Sequence, residues 1–158
     1  MSRIIWCLNQ KNGIKIIEPN QNLSQAYILK AEDSLESIQV NIKKEWKIVT
    51  AYYTIYFSLY AILTRIGIKS EIHSCTVDFV KEYLNEFFTK EEIELIEDSL
   101  KARIDVQYFV DKDISDELYS KLIEFAPRIL IKSRSILSKL TEMKIRSIRD
   151  EIGSLTPD

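Results

Sequence analysis

The stretch Val49–Leu63, VTAYYTIYFSLYAIL, is apolar on almost every face and carries Tyr52, Tyr53, Tyr56 and Tyr60. A surface helix keeps one polar face, so a helix without one belongs at the centre of a bundle. Its hydroxyls, with those of Thr50, Thr54 and Ser58, must then find partners inside the fold or at an interface. Its fifteen residues cover about 22 Å, short of a hydrocarbon core of roughly 30 Å, so no membrane span is expected. Lys47 and Arg65 fence the run on either side.

Working outward, helical spacing continues through most of the chain. Asn22 with Gln25 reads as a capping pattern for a helix over 23–43, with Tyr27, Ala31, Leu35, Ile38 and Ile42 on one face. The central helix spans 46–66 and ends at Gly67. A third helix over 74–87 turns Val77, Val80, Leu84 and Phe87 inward. Thr89-Lys90-Glu91-Glu92 is a capping box opening a fourth, which runs to Val110. A fifth starts near Ser115 and runs to Leu140, with Pro127 expected to kink or split it. The charged tail, 143–158, is expected to fray. Short links make neighbouring helices antiparallel.

The first twenty residues differ. Arg3–Leu8 and Ile14–Ile17 are rich in isoleucine and flank Asn12-Gly13, which reads as a small β-hairpin closed by Pro19. The expected fold is therefore all-α: an up-down bundle of four to five helices over 21–142, with an N-terminal β-hairpin extension over 1–20.

The 158 residues carry a net charge of −2, with 29% charged and 46% apolar residues. That is the composition of one globular domain, not of a basic nucleic-acid coat. Abundant isoleucine, lysine and glutamate fits a thermophilic source or an AT-rich genome equally. Cys7 and Cys75 match no metal spacing and read as free thiols of a cytoplasmic protein. With three glycines and one histidine, phosphate loops and multi-histidine metal sites are excluded; no cofactor and no metal are expected.

Chemistry is left to two places. One is the corner after the central helix, with Arg65, Lys69, Ser70, Glu71 and His73. The other is Lys101-Ala102-Arg103-Ile104-Asp105-Val106-Gln107-Tyr108. Together with Ala51-Tyr52-Tyr53-Thr54-Ile55-Tyr56-Phe57, the glycine at 67 and the pair His73-Ser74, these resemble the HEPN family over roughly residues 23–140. Members show a Tyr-Tyr-Ala start to this helix, a His-Ser entry to the next, and Arg-x-x-Ala-Asp-Tyr later; here Val106 and Gln107 depart from that last pattern.

The resemblance implies a helical bundle, commonly a homodimer, in prokaryotic defence and toxin–antitoxin systems, often beside a small nucleotidyltransferase. Active members are metal-independent ribonucleases whose arginine is followed, after four to six residues, by histidine, with motifs of two protomers meeting at the interface. Here Arg103 is followed at that place by Tyr108. Tyrosine titrates near 10 and histidine near 6.5, so Tyr108 is a poor base. The candidate catalytic residues are thus Arg103, Tyr108 and His73.

Each candidate also has a structural role to fill. Arg103 can pair with a neighbouring acid or Gln107, Tyr108 can be a core tyrosine, and His73 can orient a turn. The stripe Tyr52, Tyr56 and Tyr60 reads first as packing and second as a base-stacking platform. The basic residues Arg128, Lys132, Arg134, Lys139, Lys144, Arg146 and Arg149 read as a solvated face before a phosphate-contacting one. The expected function is association: a homodimer binding a nucleotidyltransferase, a nucleotide or RNA, without standard ribonuclease activity. The alternatives are a ribonuclease toxin with an altered Arg-x4-Tyr set, and a structural bundle assembled through its hairpin edge.

Overall fold

The computed structural model describes residues 2–156; Met1, and Pro157 and Asp158 at the end of the expected tail, lie outside them. The fold is all-α. Helix α1 is Arg3–Asn9, followed by a short strand β1, Lys15–Ile16. Then come α2 (Gln21–Val40), α3 (Lys44–Ile66), β2 (Ile68–Lys69), α4 (His73–Tyr83), α5 (Lys90–Tyr108), α6 (Asp116–Lys139) and α7 (Glu142–Gly153). A single 3₁₀ turn, Asn85–Phe87, lies between α4 and α5.

Helix α3 contains Val49–Leu63 and is the axis of the molecule. It packs most extensively on α2, then on α6 and α5. Ala51, Ile55, Leu59, Ala61, Ile62, Leu63 and Ile66 are all buried, as are Thr54 and Ser58. The two hydroxyls turn back on their own helix: Thr54 donates to the Thr50 carbonyl and Ser58 to the Thr54 carbonyl. Ser24 of α2 donates to the Ala61 carbonyl at 2.6 Å, a buried bond joining the two longest-packed helices.

The capping chemistry is local and mostly where the residues indicate. Thr89 and Glu92 form the full capping box of α5. Ser115 caps α6 through the Leu118 amide. Gly67 ends α3 at φ 87°, the left-handed region that a side chain would strain. Helix α2 begins earlier than its sequence pattern suggests: Asn20, not Asn22, accepts the Leu23 amide. Pro127 sits inside α6 without dividing it.

Three expectations are corrected. The first strand of the N-terminal hairpin is a helix. Ile4 and Cys7, three residues apart, are the buried face of α1, so the isoleucine-rich run is read out at helical and not alternating spacing. Asn12-Gly13 forms no hairpin turn; Gly13 serves close approach, since a Cβ there would overlap the Cys7 carbonyl oxygen. An antiparallel pair does exist, but its other strand is distant in sequence: Lys15 faces Lys69 and Ile16 faces Ile68.

The second correction concerns the thiols. Cys7 and Cys75 form a disulfide, with Cα atoms 5.7 Å apart, clipping α1 to the first turn of α4. Residues separated by 68 positions carry no spacing signal, and only the packing of α1 brings them together. Arg3 reinforces the clip by pairing with Asp78 at 3.0 Å. Third, the expected fraying tail is helix α7, with Ile145, Ile148 and Ile152 buried against the bundle. Arg149 fixes its end. Its Nη1 donates to the carbonyls of Ile17, Ile66 and Gly67.

No helix among the described residues is long and apolar enough to cross a membrane.

Because the disulfide closes a long loop, its loss should cost about 2–4 kcal/mol. Intact mass under non-reducing denaturation should show no free thiol. The Cys7→Ala/Cys75→Ala double variant should melt at lower temperature. Two alkylatable thiols in the native chain would contradict the bond.

Candidate functional site

The site is built where α3, α4 and α5 meet. Helix α3 presents Tyr52, Tyr53 and Tyr56, α4 begins at His73, and α5 carries Arg103 and Tyr108. Tyr52 and Tyr56 are buried and Tyr53 half-buried.

His73 lies flat on Tyr56, with ring centroids 4.3 Å apart and planes 7° apart. Its Nδ1 is 2.5 Å from the Tyr52 hydroxyl. Burial, with Tyr56 and Tyr53 adding to it and Arg103 opposing, pushes the Tyr52 phenol well above the usual tyrosine range. Burial, then the positive charge of Arg103, holds His73 below the usual imidazole value. At neutral pH, therefore, Tyr52 is a phenol and His73 an uncharged ring.

That pairing has a direction. The buried phenol proton needs an acceptor, and Nδ1 is the one within reach among the described residues. Leaving the proton unpartnered would cost about 1–3 kcal/mol. Satisfying both groups makes Tyr52 the donor and Nδ1 the acceptor, which puts the ring proton on Nε2. His73 then offers a hydrogen-bond donor to the outside, not a base.

Arg103 is the second half of the site. Its Nη2 donates to the Tyr53 hydroxyl at 3.0 Å. Its guanidinium carbon stands 5.5 Å from the ring centroids of Tyr52 and Tyr53 and 5.8 Å from that of Tyr108. Its Nε is buried without a partner, and among the described residues it forms no ion pair. The expected pairing of Arg103 with a neighbouring acid or Gln107 is thus corrected. Asp105, two residues along α5, pairs instead with Lys112. A charge held by aromatic faces and one hydroxyl keeps most of its donors free for an anion.

All three residues singled out in the sequence come together here. Tyr108 is not a core tyrosine: it is 64% exposed, closing the outer side of the arginine. Arg65 does not join them and pairs with Glu142. Tyr52, read first as packing, and Tyr53, which the sequence did not single out for the site, are the direct partners of His73 and Arg103. Their signal was the adjacent tyrosine pair in an otherwise apolar helix, since hydroxyls in such a place must be bound by something.

The basic C-terminal third is a set of ion pairs more than an open cationic face. Lys132 pairs with Glu92, Arg134 with Glu32 and Lys144 with Glu86, while Arg149 is committed to carbonyls.

The sequence model of the HEPN domain matches residues 24–147. The chain belongs to the HEPN domain family. No curated relative matches it. Arg103 and Tyr108 both lie on α5, inside the matched region. The chain's one histidine sits across the site on α4.

The single histidine gives a clean readout. Its NMR titration midpoint should lie below about 6.5, and Arg103→Ala should raise it by removing the adjacent charge. The folded state binds fewer protons at this ring than the unfolded state. His73 should therefore contribute stability above pH about 6.5 that is lost as the pH falls through its depressed midpoint. A midpoint at or above that of a free imidazole would contradict the geometry.

Proposed function

We propose that this HEPN domain acts by association: it forms a homodimer and holds a phosphate of a nucleotide or RNA, without standard ribonuclease activity. The observation that supports this most is Arg103, half-buried, without a carboxylate partner and caged by tyrosines. An enclosed guanidinium with free donors is built for an oxyanion. Helix α4 opens beside it without a side-chain cap at Ile72, so its first amides add partial positive charge toward the same place. The Nε2–H of His73 supplies a further donor. The site offers no base matched to neutral pH, because a phenol ordinarily titrates near 10 and the Nδ1 of His73 is occupied.

Association is supported by an apolar end beside the site. Val40, Ile42, Trp46, Tyr108, Phe109 and Val110 are exposed. They gather at the end of the bundle where α2 ends, α3 begins and α5 ends. Trp46 shares a cavity there with Val106 and Gln107, and Lys44 reaches the Ile114 carbonyl. Exposed apolar surface of this kind marks an interaction face. The same face suits a second copy of the chain. A small nucleotidyltransferase in a toxin–antitoxin or defence system is the further partner that family membership suggests.

A second reading keeps catalysis: metal-independent RNA cleavage by Arg103 and Tyr108, helped by His73. What favours it is that Arg103 stands beside an imidazole that burial, and then the arginine's own charge, keeps uncharged.

Light scattering should report a dimer, and Val110→Asp should shift it to monomer. Arg103→Ala should weaken binding of labelled single-stranded RNA about tenfold or more, the loss of a charge-assisted contact. RNA incubated with the protein in chelator should stay intact. Cleavage that disappears in Arg103→Ala would replace the association reading with the catalytic one. A monomer that binds no RNA would end both.

A further inference from the structure

Helix α1 precedes the matched family region and is held to the bundle by little besides the Cys7–Cys75 bond. Its seven residues are fewer than the roughly 12 at which a helix in water becomes even marginally stable by itself. Ile4 and Ile5 are β-branched, which lowers helix propensity further. Ser2 makes no side-chain cap, the first turn has no acid and the last turn no base. Neither end therefore gains from capping or from the helix dipole. Within α1, Ile4 and Cys7 are the buried residues. The Arg3–Asp78 pair leaves 57% of the arginine side chain exposed, and pairs in such surroundings stabilise little.

The two sides of the bond are unequal. Cys75 sits on α4, where Thr76, Val77, Phe79, Val80 and Tyr83 are also buried. Phe79, Val80 and Tyr83 belong to the same apolar core as α3, so α4 has its own hold on the bundle. The chain after α1 is pinned as well. The Asn12 carbonyl accepts the Glu71 amide, Ile14 is buried, and Lys15–Ile16 pairs with Ile68–Lys69. One backbone bond reaches back into α1, from the Ile14 amide to the Cys7 carbonyl. What the disulfide decides is the stretch before Asn12, and that stretch has two states: docked on α4 or free.

We propose that Cys7–Cys75 is a redox latch. Oxidised, it keeps α1 folded on α4; reduced by a dithiol, it lets α1 leave and unwind while the helical bundle stays folded. Both sulfurs are buried, so the reaction starts when the thin layer of α1 lifts locally. The step is thiol–disulfide exchange. A thiolate of the dithiol attacks one cysteine sulfur and forms a mixed disulfide, and the other cysteine leaves as a thiolate and takes up a proton. The second thiolate of the dithiol then displaces the first cysteine, which is protonated in turn. The dithiol ends as a disulfide, having given two electrons and two protons, and the protein ends with two thiols. Departure of α1 takes Arg3 away from Asp78 and Ser74 and uncovers Cys75. The state of the bond thus sets which surface α4 presents.

Hydrogen exchange read by mass spectrometry tests this on the whole chain, oxidised and after dithiothreitol without denaturant. Reduction should abolish protection of the α1 amides from Trp6 to Asn9 and leave α3, α5 and α6 as protected as before. Reoxidation with oxidised glutathione should restore it. Cys7→Ser should show an unprotected α1 with or without dithiothreitol. If the α1 amides stay protected in the reduced protein or in Cys7→Ser, packing alone docks the helix and the latch is overturned. Protection lost throughout the bundle on reduction also overturns it, because the bond is then a staple of the whole fold. So does an α1 already unprotected in the oxidised protein, a bond that yields to dithiothreitol only after denaturation, or protection that reoxidation does not restore.

Discussion

The structure turns on the enclosure of α3. Burying a helix on every side removes water from its side chains, and an apolar residue gains from that while a hydroxyl loses unless it is bound. Threonines and serines solve the problem within the helix, by donating to the carbonyl one turn back. Tyrosines cannot, because the phenol oxygen lies too far from its own backbone. Three of the four in α3 are met by another element. The Tyr60 hydroxyl is met by the Ser70 amide, Tyr52 by His73 and Tyr53 by Arg103. The positions of the turn after α3, of the start of α4 and of the middle of α5 are thus set by what three phenols require.

This gives the site its character. Polar groups recruited to satisfy buried tyrosines are held firmly, and their remaining valences point outward. The histidine is fixed in tautomer and plane by a phenol and a stacked ring. The arginine is fixed by a phenol and by aromatic faces, which hold a cation without neutralising it as a carboxylate would. A preorganised, uncompensated cation next to a preorganised donor needs little rearrangement to accept an anion. The same enclosure works against proton transfer, since it disfavours charge on both the phenol and the imidazole.

How much of this could be read in advance depended on the range of the interaction. The capping box at Thr89–Glu92, the Ser115 cap and the Gly67 terminus were legible because each is decided within a few residues. So was the buried axis, whose apolar run leaves no polar face. The α1 segment was not. Seven residues are too few for a helical period to outweigh its β-branched content, and the surface it packs on is α4, far away in sequence. The α7 segment was legible and misread: Ile145, Ile148 and Ile152 lie at helical spacing, but the charge between them suggested solvent. At the site, the identities of Arg103, Tyr108 and His73 could be picked out by resemblance. That Arg103 lacks an acid, and that the adjacent tyrosines hold both partners, depends on which residues of three separate helices face each other.

The guanidinium of Arg149 couples parts of the chain that lie far apart in sequence. It joins the carbonyl of Ile17, which precedes the matched family region, to the end of α3 inside it, while Arg149 itself follows the region's last matched residue, 147. The segment before the matched region and the last turns of α7 are therefore both held to the end of α3 through one guanidinium. Loosening one exposes the other: without Arg149 the carbonyls of Ile17, Ile66 and Gly67 lose their donor, and without the segment around Ile17 a half-buried cation loses one of its acceptors.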